Sequence, residues 1–296
     1  MQHLLFLYNP KSGKGLIKDH LSDAINYYSN KGYLTDVYAT QSAGDGRKKV
    51  MEIGENYEKI IVSGGDGTLD EIVSGSIKAG IDPIIGYIPM GSTNDFSVSI
   101  DIPEDVNKAI ELSVKDNPVE IDVGKFENKY FIYVAAFGSI AEVSYDTDQN
   151  MKNAFGRFAY ILEGFKSLKN LKTYKMRVDL DGEIIEGDYM LGAITNSVSV
   201  GGFKGLMGKD VELSDGLFEV TLVKKPRTII ELNKIMAELG NENIKTKLIV
   251  SRKARKIKIE SDDKIKWTLD GEYGGNYKLC QIEVINKAIK LNTGLR

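Results

Sequence analysis

The chain has 296 residues, 42% of them apolar and 27% charged, with a net charge of −3. That balance suits two domains with ordinary cores and argues against a disordered chain or a globally basic nucleic-acid binder. One cysteine, Cys280, and two histidines, His3 and His20, exclude internal disulfides and multi-cysteine zinc sites and disfavour a serine–histidine–aspartate hydrolase, so acid–base work falls to Asp, Glu or Lys.

Residues 4–8 form an apolar run that ends at Asn9-Pro10 and reads as a buried first strand. Lys11-Ser12-Gly13-Lys14-Gly15 follows. Ile17, Leu21, Ala24, Ile25 and Tyr28 then recur at helical spacing, and Lys31-Gly32 ends that helix. A strand over 33–40 and a helix around Val50, Ile53 and Tyr57 come next. The apolar run Ile60-Ile61-Val62 enters Ser63-Gly64-Gly65-Asp66-Gly67-Thr68-Leu69-Asp70-Glu71, after which Ile72, Val73 and Ile77 continue a helical period from Leu69. This stretch reads as strand, glycine-rich turn and helix start. A fourth strand over 84–88 ends at Pro89-Met90-Gly91-Ser92-Thr93-Asn94-Asp95, and Pro103 is expected to open another helix. Strands alternating with helices predict an α/β domain with a doubly wound, mostly parallel sheet. Four polar segments, 9–15, Thr40, 64–68 and 91–94, fall at the carboxyl ends of its strands, where such sheets bind ligands.

From Pro118 the pattern changes. Residues 119–124 alternate, 130–137 follow a turn, and a helix is expected over 154–169. Strand-like runs lie near 173–180, 183–196, 217–223, 246–250, 255–260, 265–270 and 277–285, interrupted by a helical pattern at Ile229, Leu232, Ile235, Met236 and Leu239. Asp181-Gly182 and Asp270-Gly271 are hairpin signals. The second domain is therefore expected to be a mainly antiparallel β-sandwich or barrel over 125–286, after the α/β domain over 1–124, with the tail at about 287–296 free to return to the first. No apolar stretch is long enough to span a bilayer and no secretory signal opens the chain, so the expected location is the cytoplasm.

Three glycines in four positions at 64–67 leave backbone N–H groups bare, and the helix start behind them favours negative charge. Asp66 inside such a loop makes sense when a divalent cation lies between carboxylate and phosphate. The plainer alternative is a glycine turn capped by Asp66 or Thr68. Lys14 can reach phosphate oxygens or be a surface lysine; neither a Walker A loop nor a dinucleotide fingerprint is present. Ser92, Thr93 and Asn94 offer two hydroxyls and an amide, or cap a helix. Asp122 either shares a metal or water network with Asp66 or faces solvent. Asp215 ends a hairpin or joins turn carbonyls around a cation. Leu-Asp-Gly-Glu occurs twice, at 180–183 and 269–272; Tyr273-Gly274-Gly275 after the second tilts the functional choice toward Glu272. Two basic clusters, 252–256 and Lys166, Lys169, Lys172 and Lys175, are solvated faces or a patch for anionic lipid.

With these residues assembled, the chain resembles the diacylglycerol kinase catalytic family, in its bacterial soluble lipid kinase branch. Asn9-Pro10-Lys11-Ser12-Gly13-Lys14 looks like the family's first nucleotide loop. Gly64-Gly65-Asp66-Gly67-Thr68 matches its hallmark, and Gly91-Ser92-Thr93-Asn94-Asp95-Phe96 its third element. Asp70 departs from the usual asparagine and adds charge beside the phosphates. The resemblance implies ATP held by Asn9, Pro10, Lys11, Ser12, Gly13, Lys14, Thr40, Gly64, Gly65, Asp66, Gly67, Thr68, Leu69, Asp70, Glu71, Ser92, Thr93 and Asn94. It implies Mg2+ at Asp66 and Asp122, a structural Mg2+ held by Glu212, Asp215 and Leu217, partly through carbonyls, and Glu272 as catalytic base. It implies transfer of the γ-phosphate of ATP to a lipid hydroxyl at a membrane surface, with diacylglycerol the expected acceptor, anionic lipid and a homodimer as further expectations, and no nucleic-acid partner. The alternatives are a kinase of the same loop type acting on a soluble substrate such as NAD, or a nucleotide-binding regulatory protein.

Overall fold

A computed structural model describes residues 2–92, 94–138, 172–197, 212–239 and 246–295. They fall into two compact units, Met1–Asp122 with Lys287–Arg296, and Val123–Asn286.

In the first unit, strands β1 (Gln2–Tyr8), β2 (Tyr33–Ala39), β3 (Lys59–Gly64) and β4 (Ile84–Pro89) alternate with helices α1 (Ile17–Asn30), α2 (Asp45–Ile53) and α3 (Asp66–Ala79). Short α4 (Asp95–Ser99) and α5 (Val106–Ser113) follow. The strands run parallel in the order β2-β1-β3-β4. Leu4, Leu5, Phe6 and Leu7 are all buried, as are Ile60, Ile61 and Val62. Uninterrupted apolar strands of this kind arise when helices cover both faces of a parallel sheet. Helix α1 packs with α5, and α2 with α3. Tyr8 pairs with Ser63, and Ser63 with Ile88, so the strands end level and their polar loops share one edge.

Helix α5 begins at Val106 rather than Pro103. Asp105 is its cap, in extended conformation, its carboxylate accepting from the Lys108 N–H at 2.9 Å; Pro103 lies before the helix, outside regular structure. Helix α2 stops at Ile53, and Tyr57 instead reaches Asp36 from its hydroxyl at 2.8 Å.

Strand β5 (Val119–Phe126) leads into the second unit. There β6 (Lys129–Phe131), β7 (Val134–Gly138), β8 (Tyr174–Leu180), β9 (Glu183–Thr195), β10 (Phe218–Lys224), α6 (Ile229–Leu239), β11 (Ile249–Ala254), β12 (Lys256–Leu269) and β13 (Glu272–Leu291) follow. The path β11-β10-β9-β7-β12-β13 is antiparallel, with β8 paired to both β9 and β12. Its core is aromatic: Trp267 is fully buried between Phe126 and Phe137, with ring centroids 5.0 and 4.9 Å away. The separate runs expected at 255–260 and 265–270 are one strand, β12. A shift in register after Glu260 carries Asp262, Asp263 and Lys264 as an exposed irregularity, and those charges hid its continuity. The run expected at 246–250 lies further on, as β11. The helix expected over 154–169 lies outside the described residues.

Strand β13 outlasts its antiparallel partner. Its last residues return to the first unit, where Lys290 and Leu291 pair in parallel with Ile84 and Ile85 of β4. The Asn292 N–H then donates to the Ile85 carbonyl at 2.9 Å, and its side-chain amide to the Ser113 carbonyl at 2.7 Å.

Candidate active site

Three loops at the carboxyl ends of β1, β3 and β4 touch one another through bare backbone. A Cβ on Gly13 would lie 1.9 Å from the Met90 carbonyl oxygen, and one on Gly91 would lie 2.6 Å from the Gly65 Cα. No other residue type fits those contacts, and Gly13 also has φ +50°. The Ser12 hydroxyl donates to the Met90 carbonyl at 3.1 Å. Asn9 closes the arrangement: its N–H donates to the Ser63 carbonyl at 2.9 Å, and its amide reaches the Thr68 hydroxyl at 3.5 Å. Its side-chain oxygen accepts from the Lys11 N–H at 3.0 Å, which orients Pro10 and Lys11. Lys14 lies in a 3-10 turn over Ser12–Gly15.

Asn94 adopts φ +51°, a left-handed conformation that suits Asn. Its side-chain oxygen accepts from the Gly91 N–H at 2.8 Å, and its amide donates to the Gly91 carbonyl at 3.0 Å. Ser92 sits exposed on the turn thus closed. Thr93 and the Lys14 side chain lie outside the described residues.

Asp66 opens α3 directly after Gly65. One carboxylate oxygen accepts from the Asp95 N–H at 3.1 Å, and the other lies 3.5 Å from the Tyr87 hydroxyl. Burial, and then the nearby Asp95 carboxylate, push the Asp66 carboxyl up to about 6. A carboxylate whose proton affinity is raised by a neighbouring like charge is relieved by a divalent cation. The donor chemistry at Asp66 therefore fits magnesium. Asp122 is fully buried, not solvent-facing, and one of its oxygens accepts from the Lys287 N–H at 2.6 Å.

Several residues of the expected nucleotide set are engaged within the protein. Leu69 is buried in the core. Glu71 accepts from the Gly44 N–H at 2.6 Å and the Gly46 N–H at 3.0 Å, and so caps α2. Thr40 turns its hydroxyl to the Tyr8 carbonyl at 3.4 Å. Asp70 is half-buried on α3.

In the second unit the two Leu-Asp-Gly-Glu copies build the same hairpin. Asp181 and Gly182 have φ 51° and 97°; Asp270 and Gly271 have 47° and 85°. Positive φ at both turn residues matches the twist of the flanking strands. Their surroundings differ. Glu183 is taken by Arg252 at 3.1 Å, whereas Glu272 is exposed and no hydrogen bond among the described residues engages its carboxylate. Asp270 is the residue that sequence reasoning missed. Its carboxylate accepts from the N–H groups of Ile132, Tyr133 and Val134 at 2.5, 3.1 and 2.9 Å, locking the turn that carries Glu272.

At the third acidic turn, Asp215 accepts from the Leu217 N–H at 2.9 Å, and its other oxygen pairs with Lys253 at 3.0 Å. Lys253 also lies 3.3 Å from the buried Glu219, and Glu212 is exposed. The Asp215 carboxylate is thus served by an ammonium and an N–H. Among the described residues no three His, Cys, Asp or Glu side chains form a ready metal cage. The basic run at 252–256 is largely neutralised, since Arg252 pairs with Glu183, Lys253 with Asp215 and Glu219, and Lys256 with Glu283 at 3.8 Å. No described helix is long and apolar enough to cross a membrane.

Comparison with known proteins gives a consistent picture. Residues 3–126 match the diacylglycerol kinase catalytic domain, and residues 134–293 match the YegS C-terminal NAD kinase beta sandwich-like domain. A diacylglycerol kinase of Staphylococcus carnosus (strain TM300) is 38% identical over 271 residues, covering 91% of this chain and 88% of that one. A diacylglycerol kinase of Staphylococcus aureus (strain JH9) is 37% identical, covering 91% and 85%. A crystal structure from Bacillus anthracis str. Sterne superposes with TM-score 0.84 at 26% identity, over 99% of this chain and 95% of the other.

Proposed function

The chain belongs to the diacylglycerol kinase family and is an ATP-dependent lipid kinase, and from that premise we propose that its acceptor is diacylglycerol and its product phosphatidic acid. The observation that carries the phosphate-donor half of this reading is the backbone-to-backbone packing of Gly13, Gly65 and Gly91 around the first turn of α3. The first N–H groups of a helix have no partners within it. The N–H groups of Gly65, Asp66 and Gly67 are offered to the ATP phosphates, with Lys14 as a point charge, while the Thr68 N–H is already taken by the Gly65 carbonyl at 2.9 Å. Asn94 holds its own loop in shape.

Asp66, assisted through water by Asp122, would hold magnesium. When bound, magnesium neutralises the charge of the phosphate oxygens. No step is assigned to a metal at Asp215. The lipid hydroxyl oxygen attacks the γ-phosphorus, the bond to the bridging oxygen breaks, and ADP leaves. Glu272 accepts the hydroxyl proton. Positioning and charge neutralisation supply most of the acceleration, and a general base typically adds about 10²–10⁴-fold.

A second reading, phosphorylation of NAD or a similar soluble acceptor, is favoured by the name of the domain that residues 134–293 match. Labelled ATP separates the two. With diacylglycerol, sphingoid bases, polyprenols and NAD as acceptors, we expect label in the organic phase with diacylglycerol alone. Label that stays in the aqueous phase with NAD would replace this reading. Glu272→Ala is expected to fold normally and lose about 10²–10⁴-fold in turnover, while Glu183→Ala retains it; the reverse pattern would exchange the two hairpins.

A further inference from the structure

A lipid kinase must meet a bilayer, and one face of α6 has the composition to do so. Helix α6 is amphipathic. Leu232, Ile235 and Leu239 are buried, whereas Ile229 and Ile230 are 68% and 81% exposed. The outward face continues through Asn233, Lys234 and Ala237, all exposed. Arg227 is exposed just before the helix, after Lys224 and Lys225.

The helix has two carboxylates, and neither belongs to that face. Glu231 accepts from the Arg227 N–H at 2.6 Å, and its own N–H receives a cap from Thr228 at 3.1 Å. Glu238 accepts from the Thr246 N–H at 2.8 Å. Both are half-buried. What remains outward is two branched aliphatic side chains with cationic side chains before and after them. Helices that lie in a membrane interface bury aliphatic groups below the headgroups and hold Lys and Arg at headgroup level. The positive end of the helix dipole also lies at the isoleucines.

We propose that the outward face of α6 docks on an anionic bilayer, with Ile229 and Ile230 entering the acyl boundary and Arg227 and Lys234 meeting acidic headgroups. The proposal rests on the acceptor being a membrane lipid, but its test needs no turnover. It also replaces the neutralised run at 252–256 as the surface for acidic lipid.

The experiment is co-sedimentation of the full chain, without ATP, with vesicles of phosphatidylcholine containing phosphatidylglycerol or lacking it. We expect binding to the acidic vesicles, weakened about tenfold or more in an Ile229→Ser/Ile230→Ser variant. Arg227→Glu/Lys234→Glu should lose the preference for acidic vesicles and the salt dependence. Trp267, the single tryptophan, is buried, so an Ile230→Trp variant reports insertion through a blue shift on acidic vesicles. Thermal melts establish that the variants fold, and turnover on a short-chain diacylglycerol dispersed in detergent should be unchanged. Absence of vesicle binding, equal binding by the isoleucine variant, or an unshifted tryptophan would overturn the docking. So would a dimer that the isoleucine changes abolish while vesicle binding stays intact. Vesicle binding without phosphorylation of any lipid would instead refute the kinase reading.

Discussion

Burial and the nearby Asp95 charge make the ionised Asp66 carboxylate costly, and a bound cation would remove that cost. The Asp66 folded-state value of about 6 stands above the ordinary carboxylate value of about 4. The protonated form is therefore the stabilising one. That contribution is full below about pH 4 and is lost as pH rises through about 6. In metal-free buffer, Asp66→Asn should leave the melting temperature unchanged at pH 4. Near pH 8 it should raise stability by ~2–3 kcal/mol at most, while turnover is abolished. A destabilised variant at pH 8 would contradict the burial argument. Cys280 is simpler. Burial pushes its thiol well up, so thiol reagents should label it only after unfolding. At this scale the sequence was informative where partners are near neighbours in the chain. Gly64 is crowded by Thr68 of its own loop, whereas Asp66 finds its partners at Tyr87 and Asp95. Asp270 was not legible, because the N–H groups it binds lie 136 to 138 residues away.

Elements show the same division. The glycine-rich turn between β3 and α3 was legible because strand, turn and helix signals are contiguous. Glu71 belongs to that motif by position, yet its carboxylate serves the start of α2. A reading by motif gives such a residue to the ligand; only packing shows that it holds a neighbouring helix. The hairpin joining β12 to β13 was legible as a turn from Asp270-Gly271, and its rigidity was not. Asp270→Ala would strand three N–H groups, each costing ~1–3 kcal/mol when buried and unpaired. We expect a melting temperature lower by roughly six degrees or more, at about 2–4 degrees per kcal/mol for a unit of this size, and a lower kcat on the folded fraction. Asp270→Asn keeps an acceptor oxygen and should fall between. A variant with unaltered kcat would mean the turn does not position Glu272.

For the whole molecule, the two-part architecture was legible from the change of grammar near Pro118, and the return of the chain through β13 only in outline. Nothing local in residues 287–294 distinguishes a strand that ends in the second unit from one that crosses back. Asp122 fixes that crossing through the Lys287 N–H, and Asn292 ties the returning segment to β4 and α5. A chain ending at residue 286 should therefore lose hydrogen-exchange protection in β4 and α5, and bind ATP poorly, while the aromatic core around Trp267 keeps its emission. Retained protection in β4 would show that the segment is dispensable.

That return also sets a timetable for biosynthesis. The salt bridge between Lys290 and Asp82 joins residues 208 positions apart. At a ribosomal pace of about 5–20 residues per second, the free edge of β4 waits about 10–40 s for its partner. An unpaired strand edge invites pairing with other chains. The unit made first is thus finished last, and a newborn chain is most vulnerable to misassembly at the strand beside its nucleotide loops.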